Sequence, residues 1–226
     1  MSYPYTRVYP IISSNTVSAT TDSITMKLAA ISKFKPVDWH VTIVLKRSKR
    51  RNTLSDGSDY TDKTKNSGSS LYFVRIPDCG RCCVVPRSKD ENTSPITSSD
   101  ILVGEENIEE IISTSAELVV RSTWRVIGWR YRVEDYIIGI GNQEHGADKP
   151  IPVLEISSIH SGDHSTLSLL IHKIACDLIA LPGESVSPET LKTFCDMELE
   201  EAGSHFTISH RALQWVQILT TTVEMK

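Results

Sequence analysis

The chain of 226 residues has no run of about eighteen or more apolar residues, so it offers no transmembrane helix. Its first residues, MSYPYTRVYPIISSNT, lack a basic stretch followed by an apolar one, and export is not expected. The sequon Asn92-Thr93-Ser94 then has no consequence. Neither sign of charge dominates: 24 Lys and Arg stand against 28 Asp and Glu, a formal charge of -4. That balance speaks against binding nucleic acid through overall charge. The five cysteines are odd in number and unevenly placed, which suits free thiols in a reducing compartment.

Catalytic signatures are missing as well. There is no G-x-S-x-G, no phosphate-binding Gly-Lys-Ser/Thr loop and no H-E-x-x-H. Gly139, Gly141 and Gly146 fail the dinucleotide pattern because Glu144 stands where the third glycine belongs. Cys79 and Cys82 form one C-x-x-C pair in PDCGRCCVV, but a structural zinc needs four ligands. Cys176 and Cys195 are not spaced as a second pair, and the motif lies between two strands, so it is expected to be a hairpin turn. His160, Asp163, His164 and His172 read as a loop and helix cap, with Asp163 or Ser165 accepting backbone N–H groups. Glu198, Glu200 and Glu201 read as a solvated helical face. No metal, cofactor or catalytic residue is expected, and the chain is expected not to be an enzyme.

What the chain does contain is alternating pattern. Val8–Ile12 is a short apolar run. Ile24, Leu28 and Ile31 share a helical face closed by Pro36. Trp39, Val41, Ile43 and Leu45 alternate as in a strand. Leu71–Ile76 and Cys82–Val85 form a hairpin whose alternation puts Cys82 and Cys83 on opposite faces. A helix is expected over Asn107–Val120, and strands from Thr123 to Ser158. A helix carries Leu167, Leu170, Ile171, Ile174, Leu178 and Ile179. Ser187-Pro188-Glu189 opens another, with Leu191, Phe194 and Cys195 inward, ending near Gly203. The last helix carries Ile208, Ala212, Trp215, Val216 and Leu219, capped by Thr207 or Ser209. Polar, flexible loops are expected near 47–70 and 86–100. With no regular strand–helix alternation, the expected class is α+β: a single barrel-like antiparallel β-sheet with flanking α-helices, in one domain over 1–226.

Lys46, Arg47, Lys49, Arg50 and Arg51 form a basic run at the edge of the first loop. It reads either as a nuclear-import signal or as a solvated loop edge of little weight for stability. Direct nucleic-acid binding is not expected, because stacking aromatics do not accompany it.

The most specific stretch is GWRYRVEDYIIGIG, Gly128–Gly141. It resembles the central motif of the family of Mediator of RNA polymerase II transcription subunit 20, through Gly128, Arg130, Tyr131, Asp135, Tyr136 (phenylalanine in the family) and Gly141. LYFVRIPDCGRCCVV resembles that family's hairpin, IPVLEIS its following strand, and HRALQWVQIL its closing helix. In that last helix the Ala-x-x-Gln-aromatic pattern falls at Ala212, Gln214 and Trp215, one residue shorter. The loops after Arg51 and Pro86 depart from the family. The resemblance implies a non-catalytic subunit of the Mediator head module in the nucleus. It would act as a coactivator scaffold paired with Mediator subunit 18 and tethered through subunit 8, serving RNA polymerase II indirectly. An alternative is a phosphohydrolase of the triphosphate-tunnel type, but Glu155 stands alone on its strand without the following lysine that such chemistry uses. The strands TWRVIGWRYRV and DYIIGIG are apolar or aromatic at both alternating positions, so both sheet faces need cover. Trp129, Tyr131 and Tyr136 are the aromatic candidates for a partner contact, or else they fill the core.

Overall fold

A computed structural model describes residues 4–11, 21–49, 70–87, 96–144, 150–160, 162–180 and 205–224. The elements run β1 (Thr6–Pro10), α1 (Thr21–Ile31), β2 (Val37–Ser48), β3 (Ser70–Ile76), β4 (Arg81–Pro86), β5 (Leu102–Glu105), α2 (Ile108–Ser115), β6 (Leu118–Val133), β7 (Tyr136–Glu144), β8 (Ile151–Ser158), α3 (His164–Ile179) and α4 (Ile208–Glu224). The strands form one eight-stranded sheet in the order β1-β8-β7-β6-β2-β3-β4-β5, antiparallel throughout. The sheet curls into a half-barrel, the expected α+β class.

Strand alternation divides the apolar residues between two faces. The inner face carries Trp39, Val41, Ile43 and Leu45 of β2, Tyr72, Val74 and Ile76 of β3, and Trp124 and Val126 of β6, all packed on α4. The outer face is covered in two patches. At one end α1 and α3 cover Tyr131, Ile138, Ile140, Leu154 and Ile156. At the other, α2 lays Ile108 and Ile112 on Val44, Phe73, Cys82 and Val84. Cys82 and Cys83 therefore do lie on opposite faces. Both faces need cover, and the chain's own helices provide most of it.

The hairpin at PDCGR forms as expected, through a 3-10 turn at Pro77–Cys79 and Gly80 at φ 59. Asp163 caps α3 by accepting the Thr166 N–H at 2.9 Å. At α4, Thr207 holds the capping position: its carbonyl accepts the Arg211 N–H, and its own N–H donates to His210 Nδ1 at 3.1 Å.

Several expectations are corrected. The helix after Asn107 stops at Ser115, because Glu117 takes φ 49 and β6 starts at Leu118. β5 was hidden at the end of a polar stretch; it has four residues and only Leu102 and Val103 are apolar in it. β1 begins two residues earlier than Val8: Thr6 and Arg7 are buried as well, Thr6 sharing a hydrogen bond with Ser157 and Arg7 donating to Tyr5 and Ser168. Ile31 is 53% exposed in the last turn of α1. The first polar loop opens later than 47, because β2 continues to Ser48. The helix expected from Ser187 to Gly203 lies outside the described residues, as do Arg50 and Arg51.

One ammonium ties α1 to α3. Lys27 Nζ donates to the carbonyls of Asp177, Leu178 and Ala180, where the helix leaves its carbonyls unsatisfied and its dipole is negative. Lys27→Met is expected to lower unfolding free energy by about 1–2 kcal/mol, measured by urea denaturation.

Candidate functional site

β8 lies between β1 and β7, and its alternation turns Val153 and Glu155 inward while Leu154 and Ile156 face outward. An inward carboxylate in an apolar half-barrel demands partners, since burying an unpaired charge is prohibitive. Helix α4 brings them. Arg211 and Trp215 are four residues apart and share a face. Arg211 grips Glu155 with both arms, Nε to Oε1 at 2.6 Å and Nη2 to Oε2 at 2.8 Å. Trp215 Nε1 donates to Oε1 at 3.2 Å. From β6, Arg130 Nη2 reaches Oε2 at 3.4 Å.

A second carboxylate completes the set. Asp78, in the β3–β4 turn, accepts from Arg211 Nη1 at 2.8 Å and meets Arg130 Nη1 at 3.4 Å. Among the described residues, two guanidinium groups and two carboxylates thus form a cluster with no net formal charge. Burial pushes the Asp78 carboxyl up, but Arg211 and then Arg130 pull it down further, and it ends below its ordinary value of 3.8. Arg130 lies over the Trp39 ring at 5.8 Å, and Trp39 packs on Trp215 at 6.0 Å between ring centres. Gly139 makes room for that indole: a side chain there would stand 2.9 Å from its ring carbons.

Gln214 does something different. Its Oε1 accepts the Val8 N–H at 3.1 Å and its Nε2 donates to the Thr6 carbonyl at 3.2 Å. Tyr5 and Ile11 bond to β8, so alternation turns the Thr6 and Val8 groups to the free edge of β1. One carboxamide therefore makes the two bonds that a neighbouring strand would make.

The Gly128–Gly141 motif turns out to build the β6–β7 hairpin. Gly128 and Gly141 face each other in register, and a side chain on Gly128 would stand 2.0 Å from the Ile140 carbonyl oxygen. Arg130 enters the charge cluster. Asp135 sits in the hairpin turn, accepts the Ile159 N–H with its carbonyl and meets His160 Nε2 at 3.1 Å. Tyr131 is 3% exposed and is a core residue, not a contact surface. Tyr136 is half-buried against the same core. Trp129 is 45% exposed on the outer face, two residues from Ile127 at 50%.

The basic run divides. Lys46 is no loop residue: it lies in β2, pairs with Glu109 of α2 at 2.8 Å, donates to Ser113 Oγ at 2.8 Å and stacks over Phe73. Arg75 grips the same carboxylate, at 2.7 Å, so Lys46 helps to hold α2 on the sheet and the expectation that it is dispensable is wrong. Arg47 is half-buried and Lys49 exposed. The thiols of Cys82 and Cys83 are both pushed up to about 12, chiefly by burial. Among the described residues no group of three His, Cys, Asp or Glu side chains is placed to hold a metal ion.

Glu155, Asp78, Arg211 and Gln214 were not recognised as a unit from the sequence. What unites Arg211 and Gln214 is visible only in the structure. From Ser209 to Leu219 every residue of α4 but Gln217 is buried, so Arg211 and Gln214 are polar side chains on a helix that is enclosed on all sides.

No family model and no curated protein sequence matches the chain. Among solved structures, PH1012 from Pyrococcus horikoshii is similar at 14% identity, with 82% of this chain and 95% of that one covered and a TM-score of 0.43. A chain of the Schizosaccharomyces pombe Mediator head module is similar at 9% identity, covering 75% and 93%, with a TM-score of 0.37. A putative adenylate cyclase from Vibrio parahaemolyticus is similar at 10% identity, covering 89% and 99%, with a TM-score of 0.41. Likeness at this level carries no function from those proteins to this chain. The expectation that the chain is not an enzyme is corrected, because a protein named as a putative adenylate cyclase stands among its structural neighbours.

Two outcomes test the cluster. Arg211→Met leaves Glu155 buried without its main partner and is expected to lower stability by about 3–5 kcal/mol. Adding Glu155→Gln is expected to recover part of that loss, a non-additivity that a double-mutant cycle by chemical denaturation would read. For Asp78 the folded-state value is depressed, so its contribution is present above the ordinary value of 3.8 and is lost as pH falls below it. Asp78→Asn is expected to lower stability at neutral pH and to flatten the acid limb of a stability–pH profile.

Proposed function

We propose that the chain is a protein–protein interaction subunit of the Mediator head type, one unit over 1–226 and related to Mediator subunit 20. In this reading it works in the nucleus as a coactivator scaffold for RNA polymerase II. It pairs with a second barrel-like subunit of the subunit 18 kind and is tethered through subunit 8. The observation that carries the reading is the occupied interior. The half-barrel holds its own helix, and Glu155, the inward carboxylate, has both oxygens engaged by Arg211. Recognition then falls to the outside, where Trp129 and Ile127 stand exposed on β6 between the patches covered by α1 with α3 and by α2. The Gly128–Gly141 motif supports the reading, because Gly128, Arg130, Tyr131, Asp135, Tyr136 and Gly141 each have a structural task in this fold. Nuclear entry through Arg47, Lys49, Arg50 and Arg51 belongs to the same reading; Lys46 is committed to Glu109 and takes no part.

The full chain, tagged and recovered from nuclear extract, is expected to bring down a stoichiometric second subunit. Trp129→Ala with Ile127→Ser is expected to cut that recovery while changing stability by only about 0.5 kcal/mol, as exposed sites do. A chain that stays monomeric and captures no such subunit overturns the proposal, as does a double variant that binds like the wild type.

A further inference from the structure

Cations on and beside the sheet differ in whether a carboxylate meets them. Lys46, Arg75, Arg130 and Arg211 each meet a carboxylate. Arg47, Lys49, Arg87 and Arg121 meet none among the described residues. These last four are separated by up to 74 positions in sequence, yet the topology gathers them. Arg47 is paired in register with Ser70 on one side and Val119 on the other. The Ser70 carbonyl accepts the Arg87 N–H at 3.0 Å, so Ser70 stands between the two arginines. Arg121 is the extra residue of the bulge where β6 shifts register against Leu45 and Lys46. Lys49 follows the end of β2, with its N–H on the Glu117 carbonyl at 3.2 Å. Neighbouring strands are about 4.8 Å apart, so these positions make one corner at the shared end of β2, β3, β4 and β6.

A solvated rim would scatter its charges and mix their signs. Here, among the described residues of these strand ends, the four cations have only Glu117 beside them. Lys49, Arg87 and Arg121 are exposed, while Arg47 is half-buried and its Nε is enclosed without a hydrogen-bond acceptor. Holding one guanidinium partly out of water beside three more cations is unfavourable until an anion arrives. The chain as a whole has a formal charge of -4, so the corner is opposite in sign to the net charge.

We infer that this corner is a docking site for an acidic segment of a partner protein, with Arg47, Arg87 and Arg121 as guanidinium forks for carboxylates and Lys49 as a point charge. Nucleic acid fits less well. None of the four cations has an exposed aromatic side chain beside it in sequence on which a base could stack, and the overall acidity opposes a polyphosphate approaching on any other side. The site is independent of the Trp129 surface, so it stands whether or not a barrel-like partner binds there.

The test is fluorescence anisotropy of the full chain with a labelled poly-glutamate peptide and, in parallel, a single-stranded oligonucleotide of equal charge. The peptide is expected to bind the wild type, to bind less tightly as salt rises, and to bind Lys49→Glu/Arg87→Glu/Arg121→Glu about tenfold more weakly or worse. The melting temperature should not move, because these three side chains are exposed; if the reversal variant does not fold, the same three positions changed to Gln keep the comparison valid. No peptide binding by the wild type, or equal binding by the variant, overturns the proposal. Tighter binding of the oligonucleotide overturns the choice of a protein partner.

Discussion

The bidentate contact between Arg211 and Glu155 is the constraint on which the rest of the molecule depends. A carboxylate on the inner face of an eight-stranded sheet cannot stay charged in apolar surroundings, and an arginine on an enclosed helix cannot lose its charge at all. Each is tolerable only beside the other. Because the guanidinium is a planar fork, the pairing sets the rotation of α4 about its axis as well as its height in the half-barrel. Trp215 is thereby brought against Trp39, and Gln214 against β1. Arg130 and Asp78 then add a second pair of opposite charges, so the enlarged cluster stays neutral.

The outer face follows a different logic. There the cover is supplied in pieces, by α1 and α3 at one end and by the short α2 at the other. A helix of eight residues has little stability of its own, so α2 needs more than its few apolar contacts. Lys46 and Arg75 provide it by meeting at Glu109, a carboxylate that is itself buried. The uncovered strip on β6 is what remains between two solutions to the same problem.

The alternation of Trp39, Val41, Ile43 and Leu45, the turn chemistry of Asp78 and Gly80 and the cap at Asp163 were all legible, because each depends on neighbours a few residues away. The motif at Gly128–Gly141 was legible as a pattern, but not as a reason: only the register shows that the two glycines oppose each other. The charge cluster escaped because its members lie 56 and 133 residues apart, and Glu155 alone looked like an orphan carboxylate. Lys46 was misread for a related cause, since its place in a basic run concealed a partner on α2. Four residues of β5 carry too little apolar pattern to stand out, and the enclosure of α4 around Arg211 is visible only in the structure.

The carboxamide of Gln214 has a consequence for how copies of the chain meet. An open sheet normally has two templating edges, and a molecule with two can string itself into an unending ribbon. Here the Thr6 and Val8 groups on the β1 side are already occupied by a side chain of the same molecule. Among the described residues, the strand left at the other margin is β5. A strand arriving on the β1 side would first have to displace that carboxamide from the Val8 N–H and the Thr6 carbonyl. A single glutamine thus guards one margin of this sheet, a chain-stopper written into the C-terminal helix.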